Sequence, residues 1–123
     1  MILLDSSIWL EYLSGGPLKD MVESYFSNRN EIVTPSIVLY EVYKKLRQGC
    51  DEDDVLIAAG QIKDTKVIPL TEKIALTAAD FSLEHSLAMA DAIIYATAFE
   101  HGCKIVTSDA HFEKLDNVVY IKK

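Results

Sequence analysis

The sequence is short of basic residues. Its 123 residues carry 12 Lys and Arg against 19 Asp and Glu, a formal net charge of −7. That balance argues against a broad positive face for duplex DNA. Cysteine is scarce as well. Cys50 and Cys103 are the only two, and they form no CxxC pair and have no partner at metal-ligand spacing. The expectation is two reduced thiols in a cytoplasmic protein. No apolar stretch approaches the roughly 20 residues of a membrane span. The opening Met1-Ile2-Leu3-Leu4-Asp5 has no basic region and no long apolar core, so it does not read as a signal peptide. Repeats, low-complexity tracts and linkers are missing too. What is present is ordinary globular composition, half hydrophobic and a quarter charged, which excludes disorder. The expectation is one domain over residues 1–123 with a real core.

Short β-type runs alternate with longer helical stretches. Met1 to Leu4 is a short apolar run. Ser6 or Ser7 then suits the N-cap of a helix through Leu13, which Gly15-Gly16-Pro17 ends. Leu18 to Ser27 places Leu18, Met21, Val22, Tyr25 and Phe26 at helical spacing. Glu31 to Thr34 reads as a second strand, closed by Pro35, and Ser36 to Gln48 as a helix with Gly49 at C′. The acidic run Asp51-Glu52-Asp53-Asp54 suits the positive end of the next helix better than a metal site. Val67 to Leu70 reads as a third strand, and Thr71 caps a helix to about Leu83. Ala88 to His101 is a strongly apolar helix ending at Gly102. Lys104 to Thr107 is a fourth strand, Asp109 to Leu115 a short helix, and Val118 to Ile121 a last strand. Strands separated by helices imply parallel pairing through right-handed crossovers. The fold class is therefore α/β, a parallel sheet covered on both faces. Ligands of such folds bind at the C-terminal strand ends.

Most of the 19 acids lie among polar residues and read as solvated surface. Four do not. Asp5 lies between Met1-Ile2-Leu3-Leu4 and Ser6-Ser7-Ile8-Trp9-Leu10. Glu41 interrupts Ile37-Val38-Leu39-Tyr40 and Val42-Tyr43. Asp91 sits inside Leu87-Ala88-Met89-Ala90 and Ala92-Ile93-Ile94-Tyr95-Ala96. Asp109 follows the strand Ile105-Val106-Thr107 by one residue. A charge in apolar company is costly unless it is paired, hydrogen-bonded or metal-bound. Taken singly, each has a structural alternative: Asp5 and Asp109 as helix caps, Glu41 as an exposed point on a buried helix. Asp91 is hardest to explain that way. Together they fall at one end of the sheet, with little nearby Lys or Arg in sequence. Close carboxylates need a counter-charge, and a hard divalent cation, Mg²⁺ or Mn²⁺, fits oxygen ligands. Glu11 and Asp80, also beside apolar residues, lie mid-helix and read as solvated edges.

At these residues the sequence resembles the PIN-domain nucleases, specifically the VapC-like toxins of toxin–antitoxin pairs. The resemblance runs over essentially the whole chain. It is carried by Ile2-Leu3-Leu4-Asp5-Ser6-Ser7, by Pro35-Ser36-Ile37-Val38-Leu39-Tyr40-Glu41, by Leu87 through Ala98 and by Thr107-Ser108-Asp109-Ala110-His111-Phe112. It implies about five parallel strands in order 3-2-1-4-5. It implies Asp5, Glu41, Asp91 and Asp109 as the acidic quartet holding Mg²⁺ or Mn²⁺. Ser6 and Thr107 match supporting hydroxyl positions. The implied activity is metal-dependent hydrolysis of RNA phosphodiester bonds, with a cognate antitoxin and a homodimer. One position departs: His111 stands where many members have a further Asp. Its alternatives are a group supporting the ligands, a weak ligand or an exposed side chain, of which exposure is the expectation. The change bears on a second metal site rather than on the quartet. Lys44, Lys45 and Arg47, after Glu41 on the same helix, are candidates for RNA contact, with ordinary exposed charge as the alternative. Trp9, Tyr12, Tyr40 and Tyr43 are candidates for an interface, with core packing as the alternative.

Two other readings fit less well. A nucleophilic-aspartate phosphatase uses a second acid two residues after the first, and Ser7 stands there. A receiver-like or degenerate PIN-like module would bind Mg²⁺ without cleaving, but a receiver wants a paired acid beside Asp5. A degenerate PIN domain would have lost quartet members.

Overall fold

β1 (Ile2–Leu4) is the middle of the sheet, and its aliphatic run meets apolar neighbours on both sides. Residues 1–123 are all described in this structure, a computed structural model. β1 pairs in parallel with β2 (Ile32–Pro35), matching Ile2 to Ile32 and Leu3 to Val33. On its other side it pairs with β4 (Lys104–Thr107), matching Leu3 to Ile105 and Leu4 to Val106. β3 (Lys66–Ile68) extends the sheet beyond β2, and β5 (Val118–Tyr120) extends it beyond β4. The order is 3-2-1-4-5 and every pair is parallel. Leu3, Leu4, Ile32, Val33, Ile105 and Val106 are all buried, as central strands covered on both faces require.

Six helices cover the sheet: α1 (Ser6–Ser14), α2 (Lys19–Val22), α3 (Ser36–Arg47), α4 (Glu52–Lys63), α5 (Glu72–His85) and α6 (Met89–Glu100). No helix is long and apolar enough to cross a membrane. Asp51 caps α4 by accepting from Asp54 N, and Thr71 caps α5 by accepting from Ile74 N. The cap of α1 is Asp5, not Ser6 or Ser7, because its carboxylate reaches the Ser6 N–H first. Leu18 to Ser27 is not one helix. α2 gives way to a 3₁₀ turn over Glu23–Phe26. There Phe26 packs edge-on to Trp9 at 4.8 Å and stacks on Tyr12 at 3.9 Å. The third strand stops at Ile68, before Pro69, which has no N–H for the ladder. The segment after Asp109 holds only one 3₁₀ turn, Ala110–Phe112, anchored by the fully buried Phe112.

Two further expectations change. Trp9 is core, with no exposed surface, so it is not an interface residue. Tyr40 and Tyr43 are exposed. Glu11 is no solvated edge, since only 6% of its surface is exposed. It accepts from the Leu18 backbone N–H at 3.0 Å and pairs with Lys123 at 3.3 Å. Gly16 lies against this carboxylate so closely that a Cβ there would collide with it. Cys103 is buried, Cys50 is exposed, and neither is bonded to the other.

Candidate active site

The end of β1 is tied directly to β4. The Asp5 N–H donates to Val106 O at 3.0 Å, which leaves the Asp5 side chain at the carboxyl edge of both strands. Asp5 is 3% exposed. Its Oδ1 accepts from Ser6 N at 2.8 Å, and its Oδ2 accepts from Thr107 Oγ1 at 2.7 Å and Ser7 Oγ at 3.1 Å. The Thr107 hydroxyl in turn accepts from Asp109 N at 3.0 Å, and the Ser7 hydroxyl from Ser108 N at 3.1 Å. Two hydroxyls therefore splice the start of α1 to the loop after β4. Three donors favour ionised Asp5, but burial outweighs them and raises its pKa, with Asp109 pushing the same way.

Ser7 was not foreseen as part of this web. Its signal, a second hydroxyl two residues after a capping acid, was present in the sequence. Which of two adjacent serines turns inward depends on the phase of α1, which only the packed structure fixes. Ser6 makes a weaker link, with Oγ 3.5 Å from Asp5 Oδ1. Its hydroxyl also opposes part of the upward pressure on the Glu41 carboxyl.

Glu41 is half-buried on α3. Its Oε1 is shut off from solvent and has no hydrogen-bond partner. Burial raises its pKa, and the charges of Asp5, Asp91 and Asp109 raise it further. Asp91 is the third residue of α6, close to the unsatisfied N–H groups of that helix. Its pKa is raised by burial, then by Asp109 and Asp5, with His111 opposing. Asp109 caps the 3₁₀ turn by accepting from His111 N at 2.9 Å. The four predicted acids thus stand within electrostatic reach of one another. None is paired with a Lys or Arg.

His111 is exposed, as expected, yet it belongs to the cluster. Its Nδ1 lies 3.3 Å from Asp91 Oδ2 and 3.3 Å from Asp109 Oδ1. Asp91, Asp109 and His111 can each offer a ligand atom within 4.8 Å of the others. The donor set fits a divalent cation. It offers mainly carboxylate oxygens, one of them buried and unpartnered, and raised pKa values that a cation would bring back down.

The proposed basic stripe divides. Lys44 and Lys45, three and four residues after Glu41, line a shallow recess with Glu41, Tyr40 and Gln48. Arg47 turns away, over the Tyr43 ring at 5.9 Å. It lines an adjoining open groove of about 910 Å³ with Leu56 and Lys63, and Tyr40, Lys44 and Gln48 border both hollows. On the opposite flank, Asp91 and His111 border a recess of about 310 Å³ with His85, Ser86 and Leu87.

The PIN domain family profile matches residues 2–118. Among curated protein sequences none matches the chain. Among solved structures, a toxin–antitoxin complex from Klebsiella pneumoniae contains a similar chain, at TM-score 0.86 and 20% identity over 100% of both chains. VapC20 of Mycobacterium tuberculosis, a sarcin-ricin-loop-cleaving toxin, is similar at TM-score 0.81 and 19% identity, again over 100% of both chains. VapBC2 of Rickettsia felis, bound to a DNA fragment from its promoter, is similar at TM-score 0.76 and 18% identity, over 99% of this chain and 98% of that one. At such identities the likeness to these structures is one of fold. The family profile, running from the first strand to the start of the last, makes the assignment: the chain belongs to the PIN domain family.

Proposed function

We propose that this protein is a metal-dependent endoribonuclease that acts as the toxin of a toxin–antitoxin pair. The observation that carries the reading is the convergence of Asp5, Glu41, Asp91 and Asp109 with no Lys or Arg partner, the first three with raised pKa values. A partly buried, unpaired acidic cluster of that kind is poor structural material and good cation-binding material. Asp5, Glu41, Asp91 and Asp109 would hold Mg²⁺ or Mn²⁺. When bound, the ion supplies Lewis-acid polarisation of a phosphate and a lowered water pKa.

The chain's own residues set the geometry. Thr107 and Ser7 fix the Asp5 carboxylate, so its orientation does not depend on substrate. Ser6 Oγ stands 3.5 Å from Asp5 Oδ1 and opposes the rise in the Glu41 pKa. Lys44 and Lys45, on the open side of Glu41, suit contact with RNA phosphates, while Arg47 extends that contact toward the α3–α4 groove. The cognate antitoxin, a homodimer and a cytoplasmic setting are parts of the same proposal. Support comes from the fold it shares with a toxin that cleaves the sarcin-ricin loop and with VapBC2.

The test is incubation of the purified chain with structured RNA, with Mg²⁺ or Mn²⁺ or with EDTA. Cleavage is expected only with the ion. Asp91→Asn is expected to reduce it by about a hundredfold or more, since each tenfold corresponds to about 1.4 kcal/mol of lost transition-state stabilisation. Equal cleavage in EDTA, or by a folded Asp91→Asn variant, would sink the proposal. A metal-dependent rise in melting temperature without cleavage would favour a binding module instead.

A further inference from the structure

Two of the acids, Asp5 and Glu41, keep their immediate polar contacts to hydroxyls and backbone or to nothing. The Asp91–Asp109 edge is different, because a nitrogen ligand stands between the two carboxylates. The His111 backbone N–H is held by Asp109 Oδ1 at 2.9 Å, and the next residue, Phe112, is fully buried. The base of the imidazole is therefore anchored at both ends. The ring itself is 74% exposed, and its only polar contacts are to Asp91 and Asp109 at 3.3 Å each. Bonds of about 2.0–2.2 Å to an octahedral ion place neighbouring donors about 3 Å apart. The His111 spacing to both carboxylates is close to that value.

We infer that His111 is a metal ligand, and that Asp91, Asp109 and its imidazole form a mixed nitrogen–oxygen face selecting Mn²⁺ and heavier first-row divalent ions over Mg²⁺. The inference rests on the metal-binding reading of the acidic quartet proposed above. Its chemistry is simple. Mg²⁺ prefers oxygen ligands and keeps several waters, whereas imidazole binds first-row transition ions well. A competing arrangement uses the same contacts differently. An imidazolium would then be a resident counter-charge for Asp91 and Asp109, which any ion must displace. The two arrangements make opposite predictions for removal of the ring.

The test uses the full chain and its His111→Ala and His111→Asp variants. Mn²⁺ binding is followed by loss of the free-ion EPR signal, and Mg²⁺ binding by calorimetry. Loss of the ring is expected to weaken Mn²⁺ binding about tenfold or more while changing Mg²⁺ binding little. His111→Asp is expected to move the preference back toward Mg²⁺. Pulsed EPR of the Mn²⁺-loaded parent is expected to show coupling to an imidazole nitrogen, absent from His111→Ala. A parent without that coupling, or a His111→Ala variant that binds Mn²⁺ as tightly as the parent or more tightly, overturns the inference and leaves the nuclease reading intact. Failure of the parent to bind either ion overturns the metal reading itself.

Discussion

Helix α1 carries two buried carboxylates, Asp5 at its N-cap and Glu11 within its length, and the two live in opposite company. Asp5 is 3% exposed and Glu11 is 6% exposed. Glu11 has a backbone N–H from Leu18 and the ammonium of Lys123. It ties the turn after α1 to the C-terminal residue, with Gly16 leaving it room. Asp5 has hydroxyls and one backbone N–H, and the nearest charges are other acids. Burial alone therefore does not mark a functional acid in this protein. The mark is burial without a cation, since an unpaired buried charge persists against a desolvation cost of several kcal/mol.

The contrast breaks most visibly in activity. Asp5→Asn is expected to lower RNA cleavage by a factor on the order of 10²–10³. Glu11→Gln is expected to leave cleavage per folded molecule at the parental level. Stability reverses the order. Glu11→Ala leaves the Leu18 N–H unpaired and is expected to cost about 1–3 kcal/mol in urea unfolding. A cleavage defect in Glu11→Gln as deep as that of Asp5→Asn would erase the distinction.

Acidity sharpens the contrast next. Asp5, Glu41 and Asp91 hold their protons to higher pH in the folded chain than their ordinary values allow. Below the ordinary carboxylate range, about pH 4, folded and unfolded chains are both protonated at these groups. As pH rises from there toward the raised values, the unfolded chain releases protons first. The stability these groups contribute is therefore present at low pH and lost as pH rises through that window. In EDTA, Asp91→Asn should flatten this decline and leave the variant more stable than the parent at neutral pH. Mn²⁺ should restore the parent by binding its folded state. Urea midpoints measured across pH, as differences between variant and parent, read this directly, and identical slopes would count against it. The smallest effect belongs to Lys123→Ala. That ammonium is 63% exposed, so its loss is expected to cost less than about 1 kcal/mol.

Legibility in the sequence followed locality. β4 lies where its apolar run predicts, at Lys104–Thr107. Asp91 stood out because its neighbours along α6 are apolar, and the structure buries Ala92, Ile93 and Ile94 beside it. The strand order came from family resemblance, since periodicity cannot say which strands adjoin. Glu11 was misread because its cation, Lys123, comes from the far end of the chain. His111 was read as exposed, which is true, but its contacts depend on a 3₁₀ turn that sequence spacing rendered as a longer helix. Arg47 was grouped with Lys44 and Lys45 by proximity in sequence. A period of 3.6 residues carries it off the Glu41 face.

The splice between α1 and the loop after β4 also sets a timetable. Asp5 and Thr107 are hydrogen-bonded across 102 positions of sequence. A ribosome adding about 5–20 residues per second produces Asp5 and Glu41 seconds before Asp91 and Asp109. Until β4 docks beside β1, the Asp5 carboxylate has only its neighbours Ser6 and Ser7 to hold it and lacks the Thr107 hydroxyl. A partly synthesised chain therefore carries half a constellation, and the ribosome that makes it works beside an unfinished site.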